Sequence, residues 1–122
     1  MSISQPIHVT ADAIVFSKES KDVYLLLIKR KNDPYKNSWA LPGGFVNKDE
    51  LVINACQREL KEETHLEFNL NQFHFLGYYD KIAKVTADDD AGQAQWFSLK
   101  NLPELAFDHL EIITDAQKNI NF

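Results

Sequence analysis

Residues 43–66 read GGFVNKDELVINACQRELKEETHL, two glycines and a polar stretch followed by a segment with helical periodicity. The periodicity predicts a helix from Glu50 to Thr64. Its core-facing stripe is centred on Val52 and Cys56, with Ile53, Ala55 and Leu60 at the margins. Glu59 and Glu63 fall on the same stripe, within roughly 20° of Val52. The apolar stripe therefore becomes acidic in the last two turns of the helix.

Acidic side chains on the core-facing stripe work against helix stability. A like-charge pair four residues apart destabilises a helix by roughly 0.2–0.5 kcal/mol. Glu59 and Glu63 also lie toward the carboxyl end, where the helix dipole disfavours anions. A divalent cation reverses the sign of these terms, because hard oxygen ligands suit Mg²⁺ or Mn²⁺. Two interpretations stay open, a metal site and a solvated or salt-bridged cluster, and we favour the metal site.

The spacing around this helix follows a fixed pattern. Five residues separate Gly44 from Glu50, and seven more lead to Arg58-Glu59-Leu60-Lys61-Glu62-Glu63. This pattern resembles the Nudix box, the loop-helix-loop signature of Nudix hydrolases. The box continues with any residue, a glycine and an aliphatic residue, and His65 stands here at the glycine position. We expect His65 to take the left-handed conformation that ends such helices.

The resemblance implies a fold and a reaction. The expected fold is α+β, a mixed β-sheet sandwiched between helices, in one domain over residues 1–122. The expected activity is that of an enzyme, a Nudix pyrophosphatase, which hydrolyses a nucleoside diphosphate linked to a group X. Mg²⁺ is the expected cofactor, with Mn²⁺ as an alternative. The metal would neutralise the pyrophosphate charge and activate a water, and a carboxylate would take the water's proton.

The resemblance also assigns roles within the box. Glu59 and Glu63 would be the main metal ligands, Glu62 a further ligand or water-orienting group, and the Gly43 carbonyl would complete the shell. The paired glycines would let the backbone turn tightly and approach a ligand closely. The catalytic set implied is Glu50, Arg58, Glu59, Glu62 and Glu63, in which Glu50 and Arg58 orient the helix and its carboxylates.

The rest of the chain predicts further strands and a second helix. Val23–Ile28 is apolar on both faces, as in a central strand covered on two sides. Ser17–Asp22 is polar and predicts a turn, and Asp108–Asn119 predicts the second helix. The other predicted strands are Val9–Phe16, Trp39–Leu41 (stopped by Pro42-Gly43-Gly44), Phe73–Tyr79 and Ala94–Phe97.

The C-terminal third resembles the ADP-ribose pyrophosphatase branch of the family. Asp88-Asp89-Asp90-Ala91 precedes Ala94-Gln95-Trp96-Phe97, and Ala106-Phe107-Asp108-His109 follows. The favoured substrate is therefore ADP-ribose, which would give AMP and ribose 5-phosphate. The branch also includes Nudix domains of NAD-metabolism regulators, which add a DNA-binding domain that we do not expect here.

Several side chains in and around this third allow two interpretations each. Arg30 and Gly44 are candidate substrate-binding residues, although Arg30 fits a surface salt bridge equally well. Asp108 is a third such candidate, but with Glu111 it fits a helix capping box better. Core packing is favoured over base stacking for Trp96 and Phe97, and a solvated loop over a second metal site for Asp88–Asp90. Cys56 is expected to be a small buried core residue.

Only seven residues, 81–87, separate the Tyr78-Tyr79-Asp80 segment from the Asp88 loop. Relatives in this branch usually carry a longer stretch, which supplies a further strand and a loop that can bear a catalytic carboxylate. Either the domain is shortened or residues are missing from the sequence, and the first case leaves a sheet that lacks one strand. An exposed sheet edge invites pairing, so we expect a homodimer. The rival function is a non-catalytic nucleotide-binding or interaction module that has lost this loop.

Composition restricts the partners. The net charge is −5, so we expect no binding to nucleic acid. The longest apolar run, Val23–Ile28, is far shorter than a membrane span, so we expect no membrane partner. The N-terminus shows no signal-peptide pattern, and a lone cysteine, Cys56, fits a reducing compartment. The expected location is the cytoplasm, and the expected ligand is a small nucleotide.

Overall fold

The computed structural model describes residues 8–79 and 91–120, with Ala91 described by its backbone alone. Its elements are β1 (Thr10–Asp12), β2 (Phe16–Glu19), β3 (Asp22–Arg30), β4 (Trp39–Ala40), β5 (Gly43–Phe45), α1 (Val52–Thr64), a short 3-10 helix (Leu70–Gln72), β6 (Ala91–Ser98) and α2 (His109–Asn119).

Strand β3 organises the larger sheet. It pairs antiparallel with β2, β4 and β6. Strands β1 and β5 form a second, two-stranded antiparallel sheet, with Asp12 opposite Gly43. A parallel bridge between Trp39 and Leu105 ties the segment before α2 to β4.

The two helices cover opposite faces of β3. Successive side chains of a strand point to opposite faces, and both faces of this strand are buried. Leu25 and Leu27 pack with Ile113 of α2, whereas Leu26 packs with Leu60 of α1. The expected α+β sandwich is therefore confirmed, with the apolar run of β3 at its centre.

Helix α1 packs through its middle and end. Its buried residues are Ala55 and Leu60, whereas Val52 is 49% exposed. The expectation that Val52 lies at the centre of the packed stripe is wrong, because the helix meets the sheet only from Ala55 onward. Glu59 nevertheless remains on the packed side, with its side chain 14% exposed.

The end of α1 is as expected. His65 has φ 65° and ψ 9°, the left-handed conformation, and its N–H donates to the Lys61 carbonyl at 2.8 Å. This is the single hydrogen bond of a left-handed helix end. A histidine thus holds the position where the Nudix pattern has glycine.

Three predicted boundaries differ from the structure. The predicted strand Val9–Phe16 is divided between β1 and β2, and the predicted turn at Ser17–Asp22 is mostly strand, since β2 pairs with β3 as far as Glu19. Gly43 and Gly44 lie in a strand, not in a tight turn, and no glycine among the described residues has positive φ.

Phe73–Tyr79 is not a strand. No described strand pairs with it, and Phe75 and Tyr78 are more than three-quarters exposed, at 80% and 82%. Tyr79 anchors the segment, because its hydroxyl donates to Asp115 of α2 at 2.9 Å. The expectations for residues 81–87 and Asp88–Asp90 lie outside the described residues. Within the described ranges, no helix has the length and apolar character needed to span a membrane.

Candidate active site

Arg58 binds the acidic residues of the box together. A guanidinium has five N–H donors, and here each has an acceptor. Nε donates to Glu50 Oε2 and Nη2 donates to Glu50 Oε1, and each hydrogen bond is 2.9 Å long. Nη2 also donates to the Phe45 carbonyl at 2.9 Å, and Nη1 donates to Glu59 at 2.7 Å and Glu62 at 3.3 Å. One side chain therefore connects the β5–α1 loop to two of the candidate metal ligands.

These contacts keep Glu50 and Arg58 charged. The hydrogen bonds from Arg58, with one from the Asn47 N–H, lower the pKa of Glu50 to about 2. The Glu50 and Glu59 carboxylates raise the pKa of Arg58 above its already high value. The orienting pair that the sequence suggested is thus an ion pair across the whole neutral range.

Glu63 lies on the other side of Glu59, against the backbone of β5. Its Oε1 accepts the Gly43 N–H at 2.8 Å. Burial raises the pKa of Glu63 to about 8, and the neighbouring charges of Glu59 and Asp12 add to the rise. At neutral pH without metal, the Glu63 carboxyl therefore holds a proton, and a bound cation would favour its release.

Close approach, and not an unusual backbone angle, explains the two glycines. A Cβ on Gly44 would lie 2.6 Å from the Glu59 Cδ, and one on Gly43 would overlap the Ala11 carbonyl. A side chain at Gly43 would push β5 away from β1, whereas one at Gly44 would displace the Glu59 carboxylate. The predicted tight turn is therefore not found, and close approach of this backbone to a ligand or metal stays a prediction.

Asp12 is a further acidic residue of this region that the sequence did not single out. It ends β1 opposite Gly43. Burial raises its pKa to about 7, with a contribution from Asp108. Its Oδ2 lies 3.7 Å from Nε2 of His109, a side chain that is 7% exposed. An acid within an otherwise alternating apolar strand was the available signal, but one residue in a strand does not reveal its neighbours.

The candidate substrate residues lie apart from the box in sequence. Arg30 ends β3, is 7% exposed and donates through Nε to the Pro34 carbonyl at 2.9 Å. Its guanidinium stacks on the Phe107 ring at 4.7 Å. A surface salt bridge does not describe so buried a side chain. Gly44 lies against Glu59, as above, and contact of either residue with substrate stays a prediction.

Asp108 precedes α2 without capping it. Its side chain makes no cap hydrogen bond, so the predicted capping box with Glu111 is wrong. The charge of Asp108 instead contributes to the raised pKa of Asp12. Contact of Asp108 with substrate stays a prediction.

The predictions for Trp96, Phe97 and Cys56 have different outcomes. Phe97 packs in the core against Trp39, with ring centroids 4.7 Å apart, as expected. Trp96 is 40% exposed, so core packing is the wrong interpretation for that residue. Cys56 is half-buried against the cluster around Leu26, and burial raises its thiol pKa to about 11.

The donor chemistry of the box fits a hard divalent cation. Glu63 accepts from the Gly43 N–H, Glu59 and Glu62 accept from Arg58, and all three carboxylates offer oxygen ligands. Across residues 8–79 and 91–120, no three acidic, histidine or cysteine side chains are gathered closely enough to hold a metal ion as they stand. Arg58 holds Glu59 and Glu62 instead, so binding a cation requires these two carboxylates to turn away from Arg58.

A sequence model of the NUDIX domain matches residues 6–116. The chain belongs to the Nudix family. The most similar curated relatives include the ADP-ribose pyrophosphatase of Methanocaldococcus jannaschii, which is 43% identical to this chain. The alignment is 129 positions long with its gaps, and it covers 90% of this chain and 73% of the relative. With the family match, this relative confirms the prediction of an enzyme, a Nudix pyrophosphatase.

Two further proteins, one a curated relative and one a solved structure, are similar to this chain. The ADPR responsive transcriptional repressor NtrR of Acinetobacter baylyi is 29% identical over 92% of the chain and 54% of its own length. A MutT/nudix family protein of Enterococcus faecalis has the same fold, with a TM-score of 0.82 and 26% identity over 98% of this chain and 64% of that protein. The chain thus spans about half to three-quarters of these relatives.

The alignments also bear on the short central segment. The alignment with the M. jannaschii enzyme extends over 129 residues, more than the 122 of the whole chain. That relative therefore carries residues inside the matched region that this Nudix domain lacks. The finding agrees with both interpretations of the spacing around residues 81–87, a shortened domain and residues missing from the sequence.

Proposed function

We propose that the protein is a Mg²⁺-dependent Nudix pyrophosphatase that hydrolyses ADP-ribose to AMP and ribose 5-phosphate, with Mn²⁺ as an alternative cofactor. The observation that carries the proposal is the placement of Glu63 on the Gly43 N–H and of the neighbouring Glu59 and Glu62 on Arg58, at the end of one helix. The similarity to the M. jannaschii ADP-ribose pyrophosphatase favours ADP-ribose over other nucleotides.

The side chains of the box differ in what they can do. Glu59 and Glu63 are half-buried and held in place, by Arg58 and by the Gly43 N–H respectively, so they suit the role of fixed metal ligands. Glu62 has a side chain that is 56% exposed and a single 3.3 Å contact with Arg58. It is therefore the carboxylate best placed to turn toward a water and orient it. When bound, a divalent metal supplies charge neutralisation and lowers the pKa of that water.

Glu50 and Arg58 complete the proposed catalytic set without binding the metal. Their side-on ion pair fixes the β5–α1 loop against the second turn of the helix. Arg58 can release Glu59 and Glu62 and still keep its three bonds to Glu50 and Phe45. The box can therefore give carboxylates to a metal without losing its anchor.

The test is turnover of ADP-ribose by the purified chain, with AMP and ribose 5-phosphate separated by chromatography. Reactions with Mg²⁺, with Mn²⁺ and with EDTA address the cofactor, and ATP and dGTP serve as competing substrates. We expect metal-dependent turnover with ADP-ribose preferred by about tenfold or more in kcat/KM, a difference of about 1.4 kcal/mol. Preference for a triphosphate would overturn the substrate assignment but not the reaction class.

A second candidate is a binding module that recognises the nucleotide without cleaving it. The similarity to the repressor of A. baylyi and the residues that the chain lacks relative to its relatives favour this alternative. Calorimetry with ADP-ribose decides between the two, because a module would bind ADP-ribose and leave it intact in the presence of Mg²⁺. The −5 net charge argues against DNA as a ligand in either case.

Homodimerisation and a cytoplasmic location complete the proposal. Sedimentation at micromolar concentration should give the mass of two chains if the shortened sheet leaves an edge for pairing. Monomers with full activity would contradict the proposed dimer.

A further inference from the structure

His109 takes a place beside β4 that a main-chain carbonyl would normally fill. The segment leading into α2 runs along β4, with Leu105 bridged to Trp39 and the Ala106 N–H donating to the Trp39 carbonyl at 2.8 Å. Further along the chain, the Leu41 N–H donates to Nδ1 of His109 at 2.9 Å. The imidazole therefore continues a hydrogen-bond ladder that the backbone begins.

The hydrogen bond from Leu41 fixes the state of the ring. A nitrogen that accepts an N–H carries no proton, so the neutral ring of His109 carries its proton on Nε2. Nε2 faces Asp12, with 3.7 Å between Nε2 and Oδ2, and the residue is 5% exposed. The ring is held at its Nδ1 edge and cannot turn over without giving up the bond to Leu41.

The amide that His109 holds belongs to the tripeptide Leu41-Pro42-Gly43, which enters the candidate metal site. The Pro42 carbonyl accepts the Ala13 N–H at 2.7 Å, and the Gly43 N–H donates to Glu63 at 2.8 Å. Each residue of the tripeptide is thus fixed by one hydrogen bond from a different element. Together with the pairing of Gly43 with Asp12 between β5 and β1, these bonds determine where the Gly43 backbone lies.

We propose that His109 is a positioning residue, which holds the Leu41 amide, keeps the Gly43 backbone in register with Glu63, and so sets the affinity of the site for a divalent cation. This inference rests on the proposed function, because it concerns the same metal site. Groups just outside a metal's ligands commonly change its affinity 10–100-fold. His109 acts through two peptide units, so we expect an effect of about tenfold, at the lower end of that range.

Two substitutions, His109→Asn and His109→Gln, distinguish the role of His109 as a hydrogen-bond acceptor from its role in packing. In His109→Asn, the side-chain oxygen can occupy the position of Nδ1 and accept the Leu41 N–H. In His109→Gln, the amide group lies nearer the position of Nε2 and leaves the Leu41 N–H without its acceptor. Glutamine is closer to histidine in size, so a role in packing alone predicts that asparagine is the worse replacement. The proposal predicts the reverse order.

The experiment measures the Mn²⁺ dissociation constant of the full chain without nucleotide, by electron paramagnetic resonance, well below the melting temperature. We expect His109→Gln to bind about tenfold more weakly than wild type, and His109→Asn to stay within about threefold. Ile113→Val, a buried change on the same helix, is the control for lost stability and should bind as wild type does. Equal binding by all variants, or weaker binding by His109→Asn than by His109→Gln, would overturn the proposal.

The outcome for wild type separates this inference from the proposed function. Absence of Mn²⁺ binding by wild type defeats both, whereas normal binding by every variant defeats only the inference. If His109→Gln does not fold, His109→Ser replaces it, because a hydroxyl is too short to reach the Leu41 amide. If neither variant folds while His109→Asn does, His109 is needed for the fold itself and the positioning role is rejected.

Discussion

Gly44 and Glu59 are packed so closely that no other residue type fits at position 44 with Glu59 in its present place. A Cβ on Gly44 would lie between 2.6 and 2.8 Å from the Glu59 carboxyl atoms. The backbone at Gly44 does not require glycine, since its φ is not positive. Space for the carboxylate is therefore the reason for this glycine.

Gly44→Ala should reduce turnover with little loss of stability. The methyl group must push Glu59 away from its place beside Arg58, and a misplaced ligand weakens the metal site, by about tenfold or more. Gly77→Ala is the matched control, because a Cβ there meets no atom within 4 Å. Mn²⁺ titration and kcat for both variants check the prediction. Unchanged metal affinity in Gly44→Ala would show that Glu59 is not a ligand.

Glu59→Gln and Glu63→Gln should each lower kcat about 100-fold or more while the metal-free protein stays folded. Burial raises the pKa of Glu63 to about 8, so its carboxyl is already largely neutral at pH 7 and glutamine resembles it closely. Glu59→Gln gives up its contact with Arg58 but leaves Arg58 its bonds to Glu50 and Phe45. Glu67→Gln, outside the box and exposed, is the control for both.

Thermal melting in EDTA and in Mg²⁺ checks the stability part of that prediction. Mg²⁺ should raise the melting temperature of wild type, because a ligand of the folded state stabilises it by mass action. The double variant should not respond to Mg²⁺. A single variant that melts several degrees below wild type in EDTA would mean that these glutamates serve the fold and not a metal.

The stability of the metal-free protein should fall as pH rises from about 4 to about 7. The pKa of Asp12 is raised from 3.8 to about 7 in the folded state, so in this window the folded chain holds a proton that the unfolded chain has lost. Binding more protons when folded makes stability decrease with pH. Asp108, Glu63 and His109 are the charged or titratable neighbours that act on Asp12.

Asp12→Asn should therefore reduce the decrease of stability with pH. Its gain in unfolding free energy over wild type should be largest near pH 8. Urea midpoints in EDTA at pH 4, 6 and 8 measure it. A residual slope is expected, because the raised pKa of Glu63 has the same sign of effect. Glu104→Gln, an exposed carboxylate change, should leave the profile as it is in wild type. A wild-type stability that rises steadily over this range would contradict the raised pKa of Asp12.

His65→Gly should stabilise the protein by about 1 kcal/mol or less. His65 has φ 65°, where an L side chain is strained and glycine is not, although glycine also gains freedom in the unfolded chain. Denaturation midpoints of wild type and variant, measured side by side at pH 8, test it. Asn54→Gly, within α1, should instead destabilise. A His65→Gly variant clearly below wild type would contradict the left-handed helix end.

Local patterns predicted the acidic helix well. The side-by-side position of Glu59 and Glu63, the pair formed by Arg58 and Glu62, and the left-handed His65 all depend on helix geometry over a few residues. The apolar run of β3 was equally clear, because a strand buried on both faces has no polar alternation. These features are fixed by neighbours in sequence, so periodicity alone shows them.

The sequence patterns did not predict contacts between segments that are far apart in the chain. Asp12 and His109 are far apart in the chain and meet only because β1 and the start of α2 both lie beside the Leu41–Gly43 segment. Asp108 with Glu111 matched a capping pattern, yet the Asp108 side chain makes no cap bond. Phe73–Tyr79 has strand-like residues but no described partner strand, and pairing is what makes a strand.

Arg58 ties its neighbourhood into one cooperative unit. Its bonds to Phe45 and Glu50 close loops of 13 and 8 residues onto the second turn of α1. The loop therefore cannot open without breaking its bonds to the guanidinium. Opening the loop alone would leave several donors of a charged group without acceptors. Amide hydrogens of the 46–51 loop should therefore exchange with solvent at rates close to those of the middle of α1, far slower than an exposed loop of this length would show on its own.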